Sequence, residues 1–445
     1  MKRVDEIDGL IGQLNALKAV QPFGRITLVD QGAVQVSGLG TEACLGDRVK
    51  IRRRSGSDLF GEIVQLDGTI LTALLENAPD GVAVHDRVFL ASAGEIFPSP
   101  QWIGRVIDSS GHPLDGKPLP CGPQAQPLRA SPPGAAERKP LGQRLETGLE
   151  ITNTLLPIVE GQRVGLFAGS GIGKSTLLGT LASKMQADVV VIAMVGERGR
   201  EVRHFIDDVL GPEGLARTVV VAATSDQSAL LRRRCAWTAM AVAEFFRDQG
   251  KSVLFLADSV TRFAEAHREI AVSSGEAPVL RGYPPSTAHM IMQLCERAGP
   301  GHLGQGNITG LFSVLVAGSD MDEPIADILR GVLDGHIILD RAIAERGRFP
   351  AIDVLRSVSR SLPAAATEGE NKILKQVRKI LGVYERNSMM ISAGLYTSGS
   401  DPEIDQSIAL WPELDIFFGA RESAEISQSF RKLEIILRRA KAVPT

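Results

Sequence analysis

The sequence has little that is unusual, and each shortage narrows the answer. No apolar run approaches the ~18 residues that a membrane-spanning helix needs. The opening MKRVDEIDGL carries Asp5, Glu6 and Asp8 and has no apolar stretch, so no secretory signal is expected. Four cysteines, Cys44, Cys121, Cys235 and Cys295, lie far apart with no CxxC pair, which argues against a zinc site or a disulfide framework and suits a reducing cytosol. Aromatic residues make up 5%, too few for a base-stacking platform on single strands. Charge of either sign is not in excess: 49 Lys and Arg against 52 Asp and Glu give a net charge of −3. A strongly basic nucleic-acid binder and an acidic disordered chain are both excluded at whole-chain level.

What remains is a chain of 445 residues, 44% hydrophobic, with length enough for about three domains. Residues 1–20 place Val4, Ile7, Leu10, Ile11, Leu14 and Leu17 at helical spacing and predict an amphipathic helix, either packed on its own body or free to bind a partner. Residues 21–95 read as short strands between Gly and Asp turns, a small β-barrel. Residues 96–145 include a Pro- and Gly-rich stretch expected to be a linker over a surface. Residues 146–365 alternate apolar strands with helical patterns and predict an α/β domain with a parallel sheet covered on both faces. Residues 366–445 lose the strand signal and read as helices.

Chemistry concentrates in the α/β segment. The run Gly169-Ser170-Gly171-Ile172-Gly173-Lys174-Ser175-Thr176 follows the apolar strand RVGLFA and opens a helix, the context of a phosphate-binding loop. Glycines let backbone N–H groups converge on a phosphate, and the helix N-terminus adds positive potential. Lys174 is suited to the β- and γ-phosphates, and the Ser175 hydroxyl to Mg²⁺. Ala168 stands where a first glycine is common. Strand SVLFLAD ends in Asp258, a candidate metal carboxylate or, more blandly, a helix N-cap. Strand DVVVIAMV runs into Gly196-Glu197-Arg198-Gly199-Arg200-Glu201, and Glu197 is the candidate group for orienting water. Glu201, one helical turn further on, is a candidate for the metal's outer sphere. The run Arg232, Arg233 and Arg234 is expected to be a solvated helix face or, as the alternative, to meet an acidic partner.

The motifs AGSGIGKST, VGERGREV, FLADSVTRFAEAHREI, GYPPS, DEPIADILRGVLDGHIILDR and RFPAIDVLRSVSR together resemble the type III export ATPases, relatives of the catalytic subunit of rotary ATP synthases. Within that group AGSGIGKS and the chain length resemble the flagellum-specific branch more than the injectisome branch. The resemblance implies a β-barrel, a RecA-like P-loop core and a helical C-terminal domain. It implies a homohexamer that hydrolyses ATP with Mg²⁺ and energises delivery and unfolding of export substrates, in the cytoplasm and peripheral to the inner membrane. Implied partners are a stator-like regulatory protein at the N-terminal helix, a coiled-coil stalk, the export gate and chaperone–cargo complexes, with no nucleic acid.

The same resemblance puts Arg198, Arg262 and Glu201 around the γ-phosphate and metal, Asp258 on the metal carboxylate and Glu197 on the base. It puts Arg360 on an arginine finger reaching a neighbouring subunit, and Phe349 and Phe417 on aromatics near the adenine. Rival readings are an injectisome homologue, a ring subunit that binds nucleotide without turnover, and an RNA-translocating hexamer. Asp340, where serine is usual in the family, is one departure.

Overall fold

A computed structural model describes residues 21–439 except 31, 55, 92–93, 280, 317–320 and 421–424. The segment expected to form an N-terminal helix lies outside the described residues.

The first body is a closed antiparallel barrel of six strands, Phe23–Asp30, Ala33–Ser37, Arg48–Arg52, Leu59–Asp67, Ile70–Leu75 and Arg87–Leu90. Alternation drives it: in Ala33–Ser37 and Arg48–Arg52 the second and fourth residues are buried. Ile26, Val36, Val49, Ile51, Leu71 and Val88 fill the interior completely. Closure leaves no unpaired strand edge.

The second body is a mostly parallel sheet. Its order runs Ile352–Ser359, Gly335–Leu339, Arg163–Ala168, Asn307–Leu315, Ser252–Asp258, Val189–Glu197, Thr218–Thr224 and Val106–Ile107, with Gly299–Pro300 paired alongside Asn307–Leu315. Only the pairings of Gly335–Leu339 with Ile352–Ser359 and of Gly299–Pro300 with Asn307–Leu315 are antiparallel. The central strands are apolar throughout because both faces are covered. In Val189–Glu197, Val189, Val191, Ala193 and Val195 enter one core, and Val190, Ile192 and Met194 enter the other. The first core is roofed by the helices Ala229–Asp248, Val260–Ser273, Ser286–Arg297 and Pro324–Val332. The second is roofed by Lys174–Lys184 and by the C-terminal helices Glu368–Ser392, Pro402–Gly419 and Ile426–Arg439. Thr367 and Glu370 form a reciprocal capping box that starts the longest of these.

Two sequence expectations need correction. Part of the segment expected to be a linker, Val106–Ile107, is the edge strand of the large sheet, pairing with Val220 and Val221. Trp102 anchors this segment: its ring is buried and its Nε1–H donates to the Pro120 carbonyl at 2.7 Å. Proline and glycine density says nothing about such anchors.

The arginine run is not a solvated face. Arg233 and Arg234 are 4% and 6% exposed, and they meet carboxylates of the barrel. Arg233 donates to Glu62 at 2.7 Å, and Arg234 donates to Glu76. Arg48 holds Glu76 with two bonds of 3.0 and 2.9 Å. Burial works to raise the Glu76 pKa, yet Arg234 and Arg48 outweigh it and keep the carboxyl below its ordinary value. Arg129 and Arg233 also lie over the Trp237 ring, at 4.5 and 4.8 Å. Arg232 alone fits the expectation in part: it pairs at 2.6 Å with Glu269, which is half exposed. Buried ion pairs thus bolt the barrel to the sheet domain.

A buried charge left without its partner costs more than the pair itself contributes. Glu62→Ala is expected to destabilise the protein by ~3–5 kcal/mol, because it strips Arg233 of its carboxylate. Glu62→Leu combined with Arg233→Met is expected to recover most of that loss. Denaturant midpoints of the three proteins check both expectations.

Candidate functional site

Parallel strands deliver their C-terminal ends to one edge of the sheet, and the candidate residues are collected there. Ala168 ends the strand that feeds the phosphate loop, Asp258 ends a second strand and Glu197 a third. Between the first two runs Asn307–Leu315.

The loop closes on glycines for a steric reason. Gly173 has φ +90°, and a Cβ there would lie 3.3 Å from the Phe349 ring. A Cβ on Gly171 would meet nothing within 4 Å, so that backbone faces open space. Helix Lys174–Lys184 starts immediately, with no side-chain cap on its first N–H groups. Lys174, Ser175 and Thr176, which open that helix, line the cavity, where an uncapped helix start favours an anion.

Lys174 crosses the intervening strand to Asp258. Its ammonium bonds the Asp258 carboxylate directly and lies 3.9 Å from Glu197 Oε1. Ser313, on the intervening strand, donates to Asp258 Oδ1 at 2.8 Å. Asp258 is 3% exposed. Lys174 and Ser313 thus converge on one oxygen of a buried carboxylate.

Glu197 reaches the crevice through an irregular strand end. The pairing register slips between Val195 and Glu197, and Gly196 sits at φ +68°. The slip re-aims the glutamate. Its pKa is pushed up to about 7, first by burial and then by the Asp258 carboxylate, against the pull of Lys174. A carboxyl so poised exchanges its proton near neutral pH. Glu201 hydrogen-bonds Glu197 and lies 3.7 Å from Arg198. Arg262 pairs with Glu265 at 3.0 Å.

All of Gly169–Thr176, Glu197, Arg198, Glu201, Arg262 and Phe349 line a single cavity of about 1270 Å³. Three sequence candidates do not. Asp258 lies behind the wall, 3% exposed and bonded by Lys174 and Ser313. Phe417 is buried at 4% exposure, edge-on to Phe418 in the core under the helical layer, so it offers no face to the cavity. Arg360 lies at the other end of the sheet. Its backbone N–H donates to the Asp334 carbonyl, and Asp334 takes the Arg163 N–H on its carboxylate. Arg163 opens the six-residue strand whose far end is the phosphate loop. At about 3.3 Å per residue, Arg360 is on the order of 20 Å from the loop of its own chain.

Sequence reading overlooked several lining residues, among them Thr261, Tyr283, Glu323 and Arg341. Thr261 had a signal, three positions after Asp258 at a helix start. Its hydroxyl accepts the Leu315 N–H at 2.9 Å. Arg341 had none, and it donates to the Ser170 carbonyl at 3.3 Å. Asp340, the departure beside it, caps the helix Arg341–Glu345 through the N–H groups of Ala342 and Ile343.

Among the described residues no group of three or more His, Cys, Asp or Glu forms a metal cage. Mg²⁺ needs none, since it is held by one or two protein groups together with substrate phosphates. Ser175 on the cavity wall, and Asp258, reached by the adjacent Lys174, are the oxygen donors that fit that arrangement.

Residues 148–359 match the ATP synthase alpha/beta family, nucleotide-binding domain, and residues 366–434 match the T3SS EscN ATPase C-terminal domain. The flagellum-specific ATP synthase of Caulobacter vibrioides is 42% identical over 437 residues, covering 96% of this chain and 98% of that protein. That of Salmonella typhimurium is 41% identical, with 97% of each chain covered. This chain belongs to the flagellum-specific ATP synthase family. It is an ATPase of the flagellar type III export class. The fold is that of the assembled ATPase EscN from the enteropathogenic E. coli type III secretion system, with TM-score 0.85 at 33% identity over 93% of this chain and all of that one. EscN is also known in complex with its central stalk EscO, a structure that matches with the same TM-score at 34% identity over the same shares of the two chains. The sequence expectation of a flagellar rather than an injectisome member agrees with these relatives. No helix among the described residues is long and apolar enough to cross a membrane.

Two variants test the nucleotide cradle. Gly173→Ala forces a left-handed backbone on an L-residue at a cost of ~1–2 kcal/mol. Nucleotide dissociation constants should rise about tenfold with unchanged circular dichroism. Phe349→Ala removes an exposed ring beside the loop and should weaken nucleotide binding by about 2- to 10-fold if that ring stacks on the base. Titration with a fluorescent nucleotide reads both.

Proposed function

We propose that the chain hydrolyses ATP as one subunit of a homohexameric ring, each reaction centre being built from two copies. The observation that carries this reading is the position of Arg360. One chain brings together a phosphate cradle, a metal carboxylate and a poised glutamate, yet its finger arginine is mounted at the opposite end of the sheet. Only a neighbouring copy can supply that guanidinium. The assembled state of EscN supports the ring.

In this reading the N–H groups of Gly169–Thr176 bind the phosphates and Lys174 leaves Asp258 to contact the β- and γ-oxygens. Ser175 and Asp258 would hold Mg²⁺, with Glu201 beyond, and the charge neutralisation it would supply falls on the phosphates. Glu197 accepts a hydrogen bond from the attacking water and takes its proton. Its raised pKa suits a group that must lose and regain a proton at neutral pH. Arg198 and Arg262 flank the γ-phosphate, Phe349 lies against the adenine, and Arg360 of the adjacent subunit spreads positive charge over the transferring oxygens. Hydrolysis then energises delivery and unfolding of export substrates at the cytoplasmic side of the inner membrane. A stator-like protein at residues 1–20, a coiled-coil stalk in the ring, the export gate and chaperone–cargo complexes are the partners. The presence of Glu197 weighs against a ring subunit that binds without turnover.

Lys174→Ala is expected to abolish phosphate release. Glu197→Gln should still bind nucleotide but lose turnover, because the amide accepts no proton. Arg360→Ala should lower kcat by ~10³-fold. Wild-type specific activity should rise cooperatively with protein concentration, and that rise should vanish in Arg360→Ala. A linear, concentration-independent activity in the wild type overturns the two-copy site.

A further inference from the structure

The mount of Arg360 has an internal logic that the catalytic residues do not explain. Its guanidinium is tied on two sides by main-chain carbonyls, Nη1 to Leu333 and Nη2 to Arg330, each at 3.0 Å. These carbonyls lie at the C-terminal end of helix Pro324–Val332, where a cation is favoured. Its backbone N–H donates to the Asp334 carbonyl at 3.0 Å.

Gln162 shares that carbonyl. It is fully buried, and its Nε2 donates to Asp334 O at 3.0 Å and to Ser359 Oγ at 3.3 Å. Its Oε1 accepts the Val159 N–H at 3.0 Å. The two bonds from Nε2 grip the residue before Arg360 and the acceptor of Arg360 itself. Ser359 is held further by the Pro157 carbonyl at 2.6 Å. Asp334 is pinned in turn through its carboxylate by the N–H, Nε and Nη2 of Arg163, at 3.0 to 3.2 Å. Gln162 and Arg163 lead directly into the strand that ends in the phosphate loop.

We infer that Gln162 and Asp334 are positioning residues for the Arg360 finger: they fix its backbone so that its side chain meets the neighbouring subunit's site in register. A buried primary amide is expensive unless both ends are satisfied; here Oε1 is fixed by the Val159 N–H of its own turn, which leaves Nε2 to grip the finger's mount. The inference rests on the proposed action of Arg360 across subunits. Neither residue touches nucleotide, since neither lines the catalytic cavity.

The test is steady-state and single-turnover ATP hydrolysis by the full chain, with fluorescent-nucleotide titration alongside. Gln162→Leu keeps the volume and removes the bonds. A finger misplaced by ~1 Å should lower kcat between about tenfold and a hundredfold. KM and the nucleotide dissociation constant should stay within about twofold, because the chain's own cradle is untouched. In the Arg360→Ala background the same substitution should lower the single-turnover rate no further, since its effect passes through the missing side chain. Asp334→Asn, which retains the shared carbonyl but loosens the Arg163 bracing, should show the same pattern more weakly. It also serves if Gln162→Leu does not fold.

An equal fold-loss of Gln162→Leu in both backgrounds overturns the inference, as does a parallel rise in the nucleotide dissociation constant or an unchanged kcat. If Arg360→Ala itself keeps wild-type kcat, the two-copy reading fails instead, and the two failures are told apart by that one control.

Discussion

The structure depends on one constraint: parallel strands must end together. Because the central strands pair in parallel, strands far apart in sequence point their C-terminal ends at a common edge. Ala168, Glu197 and Asp258 are separated by tens of residues and still frame one crevice. Lys174 can reach Asp258 only because a single strand, carrying Ser313, lies between them. The chemistry is thus a by-product of register. A slip at Gly196, tolerated because glycine accepts its positive φ, is the one departure from regular pairing that the site needs.

The same constraint underlies the proposed two-copy site. The strand Ile352–Ser359 runs antiparallel to its neighbour, so the residue that follows it emerges at the opposite end of the sheet from the phosphate loop. Arg360 is carried away from its own site by the direction of one strand. In the proposed ring of identical copies that separation would become a division of labour, with each subunit offering a cradle at one end and a guanidinium at the other.

The barrel is joined to the sheet domain by charge rather than by a greasy seam. Glu62 and Glu76 enter from the barrel, Arg233 and Arg234 from helix Ala229–Asp248, and Trp237 stacks beneath the guanidinium groups. Such pairs are a weak source of net stability but tolerate only one relative orientation, since any other strands a buried charge. Neighbouring Arg232 packs against the glycine that precedes Glu197.

Local chemistry was legible where it is carried by contiguous residues. Gly169–Thr176 declares a phosphate cradle because glycine spacing, a lysine and a helix start are properties of eight neighbours. Glu197 and Asp258 were legible as apolar strands ending in a carboxylate, and short strands spaced by Gly and Asp turns pointed to the barrel. The sequence by itself determined these because hydrophobic period and turn chemistry act over a few residues. Tertiary structure alone decided the rest: that Arg233 and Arg234 are buried against barrel carboxylates, that Phe417 faces a core, that Val106–Ile107 joins a sheet, and that Gln162 braces Arg360. Each of these depends on a contact between segments distant along the chain, and such contacts exist only once the strands have chosen their order.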